Sequence, residues 1–404
     1  MSDMARTSSP KGFRSRVDER LGRGNRGPLA MWFWELDRVL LLLAFLLIAI
    51  GLIAVAAGSP ATAQRYSGLN HQLAPMYYFW RQVMWVAVSV PVMLVFSMLP
   101  TTFARRFALG ACILFGLCLL ATPVIGVEVN GAKRWIGGGI AQFQPSEFLK
   151  PVFIVTIAWM LSLRARDPDL PMVPVTLVMT GIVGATLMLQ PDFGQTIIFG
   201  STWLILLMIA GVNRKVIGGL IGVGLAGIVA AYMFYDTARI RIDNFLFPDH
   251  GGPGADHYQT DMAHATITAG GLTGTGPGGG TVKFRLPEAH TDYVYSVVGE
   301  EFGLLACAVI AVLFFAIVAR VFVKLLDEED AFRLLAAAGL ASQFGVQATI
   351  NMAVNTGLAP SKGMTLPFIS YGGSSMIALS MGMGLLLAFT RRNPYLHRSP
   401  YIVR

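Results

Sequence analysis

The sequence predicts an all-α polytopic membrane protein of about ten transmembrane helices, and three observations carry that prediction. Of 404 residues, 54% are hydrophobic and only 13% are charged, with a mean hydropathy of +0.59. A soluble fold of this length has too little interior to hide so much apolar surface, so lipid must be the solvent for most of the chain. The apolar residues run in solid blocks of helix-crossing length rather than in the two-residue alternation of a barrel strand. Cys112, Cys118 and Cys307 all fall inside such blocks, which excludes a disulfide framework and a zinc spacing.

Ten spans follow from the blocks, at 39–57, 83–99, 107–126, 147–163, 172–189, 194–212, 216–236, 302–323, 334–355 and 370–390. An even number puts both termini on one side. With that threading, 21 of the 31 Lys and Arg residues lie on the side of the termini. The basic side is cytoplasmic, so the topology is N-in and C-in. A pI near 9.5 therefore reflects membrane orientation and does not call for a nucleic-acid partner.

Residues 1–35, basic and rich in Gly, Ser and Pro, read as a disordered cytoplasmic tail. Residues 36–392 form the ten-span domain, and 393–404 form a second cytoplasmic tail. Ala61-Thr62-Ala63 mimics a signal-peptidase site, but the polar stretch before the first span is too long for a signal peptide, so that span reads as an uncleaved anchor. The one large outer segment, about 237–293 between spans 7 and 8, is Gly-rich and carries His250, His257, His264 and His290. Loops of that length are commonly functional or disordered.

The segment LPEAHTDYVYSVVGEE (286–301) sets a histidine and four carboxylates against the start of span 8. Asp292 can be a helix cap, as can Thr291. Eight residues further, at about 1.5 Å per residue, Glu300 and Glu301 lie near or below the interface, where carboxylates need partners. On the same side stand Lys133, Arg134, Lys150, Arg239, Arg241, Lys283, Arg285 and Lys362. Such cations with a few carboxylates suit a lipid that carries pyrophosphate; alternatively, the charges pair only with one another and hold helices together. Asp192 in QPDFG reads as a turn residue beside Pro191. Gln144, Ser146 and Glu147 in QPSE read as a capping start. Asn351, Asn355, Ser370, Ser374 and Ser375 bracket a Gly- and Pro-broken entry to the last span, which is tolerated in a membrane only beside protein or a wet cavity. GTGPGG (274–279) matches a dinucleotide fingerprint but lacks a preceding strand and faces outward. His257, Asp261 and His264 share a helical face that reads as solvated rather than metal-binding.

NGAKRWI, QPSEFLK, QPDFGQ, LPEAHTDYVYSVVGEEFG and PSKGMTLPFISYGGSS resemble, in order and spacing, the SEDS proteins (shape, elongation, division and sporulation). NGAKRW, EAHTD and the basic tail are closer to the family's division member than to its elongation member. The resemblance covers all ten spans. It departs at Ala359, where Leu or Met is usual, and at NFLFPDHGG, which replaces an Asn/Asp-Pro-Trp stretch. It implies a glycosyltransferase that polymerises lipid II at the outer face of the bacterial inner membrane, at the division septum. It makes Asp292 the essential acid. Arg134, Trp135, Glu147, Lys150, Asp192 and Lys362 are placed in or near the cavity, and Lys133, Arg239, Arg241, Glu288, His290, Glu300 and Ser370 complete the expected substrate-binding set.

The chemistry expected is inverting transfer, with Asp292 taking the proton of the attacking 4-hydroxyl and Lys and Arg stabilising the leaving pyrophosphate. No nucleotide cofactor is implied, and a divalent cation, Mg2+ or Mn2+, is the one accessory the leaving group invites. The expected partners are membrane lipid, a class B penicillin-binding transpeptidase and other division proteins. A lipid II flippase and a non-catalytic division scaffold are the alternatives. Most candidate polar residues lie on the outer side, which favours the enzyme.

Overall fold

The computed structural model describes residues 28–392 except 69–71, 130, 140–141, 237–238, 241, 244–254 and 361–362. Arg241 and Lys362 thus lie outside the described residues, as do most of both tails. The described elements are α1 (Pro28–Glu35), α2 (Arg38–Tyr66), α3 (Tyr77–Met98), α4 (Thr101–Ile125), a hairpin of β1 (Val127–Val129) and β2 (Ala132–Trp135), α5 (Pro145–Arg164), α6 (Met172–Leu189), α7 (Phe193–Ile209), α8 (Arg214–Phe234), α9 (Ala255–Ala269), α10 (Val294–Leu325), α11 (Ala331–Asn355) and α12 (Gly373–Phe389). Each expected span is one helix. Seven are long and apolar enough to cross a membrane by composition alone, while α7 and α12 are shorter apolar helices. Helix α11 has the length but carries a stripe of buried amides.

Two elements were not expected. The end of the presumed N-terminal tail, PLAMWFWE, is helix α1, because its aromatic residues have somewhere to go: Trp32 packs on the core and its Nε1 donates to Ser97 Oγ at 3.0 Å. The outer segment contains α9, which packs on α10 and on the short 3-10 turn Val282–Phe284.

Helix α5 is the central pillar, with 78% of its hydrophobic window buried against 6% for α8, and it lies against α4, α11 and α12. Without a hydrophobic force between helices in lipid, close packing must come from small residues at the crossings. Gly384 of α12 supplies one: an added Cβ would meet Phe96 Cβ at 2.6 Å. At the cytoplasmic end, buried Asp37 caps α2 through Oδ1, which accepts from Val39 and Leu40 N. Its Oδ2 takes Arg320 at 3.1 Å and Lys324 at 3.0 Å, both on α10. Arg392 N donates to Glu35 O, so both ends of the described chain meet on one face, as N-in and C-in requires.

Span 8 starts earlier than its apolar block. Helix α10 runs from Val294 but breaks at Gly303 (φ 81°, ψ 175°). A break leaves peptide groups that hydrocarbon cannot satisfy. The loop after α9 fills it: Thr275 N donates to Glu300 O, Gly276 N to Glu301 O, Leu304 N to Gly271 O and Leu305 N to Leu272 O, at 2.9–3.2 Å. Gly274, the first glycine of GTGPGG, therefore serves close backbone approach, since a Cβ there would overlap Glu301 O. Gly303→Ala should lower detergent-solubilised stability by at least about 2 kcal/mol, through both its positive φ and the clash with Leu272 O. Gly227→Ala, with open space around it, should leave the melting temperature unchanged.

Candidate active site

The loop 286–293 sits where α2, α3, α11 and the 364–372 loop converge. Four donors from two of these elements, the 364–372 loop and α11, grip its main chain. Ser370 Oγ donates to Thr291 O at 2.6 Å, Tyr371 N to His290 O at 2.9 Å, and Asn351 and Asn355 Nδ2 to Asp292 O at 2.9 and 3.0 Å. Glu288 holds φ 51°, fixed by Tyr66 OH on Oε1 and Thr291 Oγ1 on Oε2, each at 2.8 Å. In contrast, the carboxylate of half-buried Asp292 has no hydrogen bond or ion pair among the described residues. Burial first, then the Glu288 charge, pushes its pKa up to about 7, against the pull of Arg134. The helix cap expected of Thr291 or Asp292 is absent. Asn355 Oδ1 does that work from the neighbouring helix, accepting from Ser296 N at 3.1 Å.

His290, expected to bind substrate, is buried instead. Its ring packs on Tyr78 at 4.4 Å and Tyr371 at 5.1 Å. Nδ1 lies 3.1 Å from Thr62 Oγ1, which is also 3.2 Å from Gly58 O. Burial drives its pKa down to about 4, and it is neutral at pH 7. Ser370 is likewise committed, since it also accepts from Leu366 N at 2.7 Å.

A second polar group lies deeper, on α5, α7 and the β-hairpin. Arg134 donates to Gln190 O at 3.0 Å and to Pro191 O at 2.6 Å, 3.9 Å from Asp192. Asp192 is the N-cap of α7 rather than a turn residue alone, accepting from Gln195 N. Burial raises its pKa, against the pull of Arg134. Glu147 does not cap α5. It accepts from Lys150 Nζ at 2.8 Å and Gln195 Nε2 at 2.7 Å, and Lys150 reaches on to Gln347 Oε1 at 3.0 Å. The charges of Arg134, Asp192 and Glu147 all act on Asp292, so the two groups are near neighbours. Gly363, next to Lys362, approaches so closely that an added Cβ would lie 3.2 Å from Asp292 Oδ2.

The remaining candidates are elsewhere or spent. Glu300, expected among the substrate-binding residues, is 1% exposed and accepts three main-chain donors, Thr281, Val282 and Lys283 N, at 2.7–3.0 Å. Glu301 pairs with buried Lys283. These two acids anchor the outer loop. Arg239 is exposed and pairs with Asp243, four residues on. Lys133 is exposed opposite Glu128 on the hairpin, and Trp135 is half-buried on β2. Lys150, Lys283 and Arg239 each pair with a carboxylate, but of these ion pairs only Lys283–Glu301 ties separate elements together. Among the described residues no group of three or more His, Cys, Asp or Glu is placed to hold a metal; the His257 side chain is outside them.

Sequence reasoning missed Gln82, Gln195, Gln343, Gln347, Tyr78 and Tyr371. One signal was available: Gln343, Gln347, Asn351 and Asn355 recur every four residues through an otherwise apolar span, and all four are buried. A polar stripe at that spacing is one helix face.

Residues 37–395 match the model of the cell cycle protein family that groups FtsW, RodA and SpoVE. The chain belongs to this family. Members similar to it include the probable peptidoglycan glycosyltransferase FtsW of Caulobacter vibrioides, 39% identical over 94% of this chain and 95% of that protein. The FtsW of Coxiella burnetii is 33% identical over 88% and 96%. Among solved structures, a chain of a peptidoglycan synthase complex that coordinates polymerisation and crosslinking is 27% identical, with a TM-score of 0.71 over 88% of this chain and 97% of that one. The rod shape determining protein RodA of Thermus thermophilus gives 25% identity and a TM-score of 0.63 over 88% and 96%. The fold is that of the family, and the chain is a multi-pass membrane protein.

Lys283→Met, which strands Glu301 in the interior, should cost about 3–5 kcal/mol. Thermal unfolding in detergent should show most of that loss restored in Lys283→Met/Glu301→Gln.

Proposed function

We propose that this chain is a peptidoglycan glycosyltransferase that polymerises lipid II into glycan strands on the outer side of the cytoplasmic membrane, with Asp292 as general base. One observation carries the role of Asp292. Its carbonyl takes two amide donors and the two carbonyls before it take one donor each, while its carboxylate is left uncommitted among the described residues, which is the arrangement a base needs. The names of the FtsW relatives supply the reaction class.

The acceptor's N-acetylglucosamine 4-hydroxyl attacks the donor's anomeric carbon. Its proton passes to Asp292, a C–O glycosidic bond forms, and the bond to the lipid pyrophosphate breaks with its electron pair leaving on phosphate oxygen. Attack from the opposite face inverts the anomeric carbon. Proton removal of this kind contributes about 10²–10⁴-fold. Arg134 is rigidly aimed by Gln190 and Pro191 carbonyls, and with Lys133 and Lys362 it is the cation set for the pyrophosphate. Lys150 is one step removed, holding Glu147. A divalent cation, Mg2+ or Mn2+, belongs here as the counter-ion of the substrate's pyrophosphate. The synthase-complex neighbour supports a class B penicillin-binding transpeptidase as partner, and the FtsW relatives support a septal location.

Purified Asp292→Asn, assayed for polymer from lipid II with the partner present, should lose at least about 100-fold in rate and keep its melting temperature. Retained polymerisation removes Asp292 from the role. The base must be ionised, so kcat/KM should fall about tenfold per pH unit below about 7. Glu288→Gln removes a like charge, so it should move that limb to lower pH in the pH–rate profile.

A further inference from the structure

Asp292 offers its surroundings two groups, a free carboxylate and a main-chain carbonyl. The carbonyl carries two amide donors, Asn351 Nδ2 and Asn355 Nδ2. Neither asparagine touches the carboxylate, and both are buried. Each also performs a second task with the same side chain. Asn351 donates to Met364 O at 2.6 Å, and Asn355 accepts from Ser296 N and Oγ at the start of α10. One turn along the same face, Gln347 donates to Thr365 O at 3.0 Å while accepting from Lys150. A single face of α11 therefore sets the peptide of Asp292, the loop segment 364–365 and the first turn of α10.

We propose that Asn351 and Asn355 are positioning residues for the glycosyl transfer: together they clamp the Asp292 carbonyl, and so fix where the carboxylate meets the acceptor hydroxyl. This rests on the reading of Asp292 as base. The physical reason for two donors is that a carbonyl has two lone pairs. One amide allows the peptide to pivot about a single bond; two from adjacent helical turns, about 6 Å apart along α11, remove that pivot. A misplacement of about 1 Å costs about 100-fold in rate.

Sharing one acceptor makes a distinct prediction. Asn351→Ala and Asn355→Ala each leave one donor, so each should lower kcat about tenfold with KM nearly unchanged, because the cavity cations are untouched. The double variant strips the carbonyl and should lose more than the product of the singles. In each single variant the acidic limb of the pH–rate profile should also shift to lower pH, as the loosened carboxylate turns towards water. Rates are taken per folded molecule, with Asp292→Asn alongside. A double variant whose loss is only multiplicative, with unmoved limbs, makes the asparagines plain fold contacts and overturns the proposal while inactive Asp292→Asn keeps the base. An active Asp292→Asn fails the base reading itself, whatever the asparagines do. Should the double variant not survive purification, the limbs of the singles decide: a shift supports the clamp and none rejects it.

Discussion

In hydrocarbon, a peptide group without a partner costs several kcal/mol, and this molecule meets that constraint at the interrupted helix α10. The break at Gly303 frees main-chain donors and acceptors that need partners from elsewhere in the protein. The glycine turn after α9 enters the gap and supplies them. Once that turn is seated, the carboxylate of Glu300 faces the 281–283 amides and Glu301 meets Lys283. The outer segment is thereby stapled to span 8, and the loop that follows it has its course set.

The charged residues of the outer side divide by what they are bonded to. Lys283, Glu300 and Glu301 are buried and bonded to partners inside the protein, so they stabilise a shape. Arg134 and Asp292 keep part of their bonding capacity. A buried charge is tolerable only when paired, and the unpaired carboxylate of Asp292 accordingly pays through a raised pKa. That same rise makes a carboxylate a competent base near neutral pH. His290 makes the complementary point, since a histidine next to the proposed base invites a catalytic role, yet two tyrosine rings and Thr62 turn it into a wedge.

The number of spans, their order and their orientation were legible in the chain because hydropathy and the Lys/Arg bias add up along a sequence and depend little on packing. Asp292, Arg134 and Lys150 were legible as members of motifs. What was not legible is how charges pair. Ser370 meets Thr291 across 79 residues and Thr62 meets His290 across 228. No local pattern encodes contacts of that range, so only the tertiary structure separates Glu300, a loop anchor, from Asp292, a free acid eight residues earlier. Helix α1, the filled break and the double clamp on one carbonyl were also decided there. Each is a matter of which backbone groups lack a partner, and in a membrane that is settled by the neighbouring helices rather than by water.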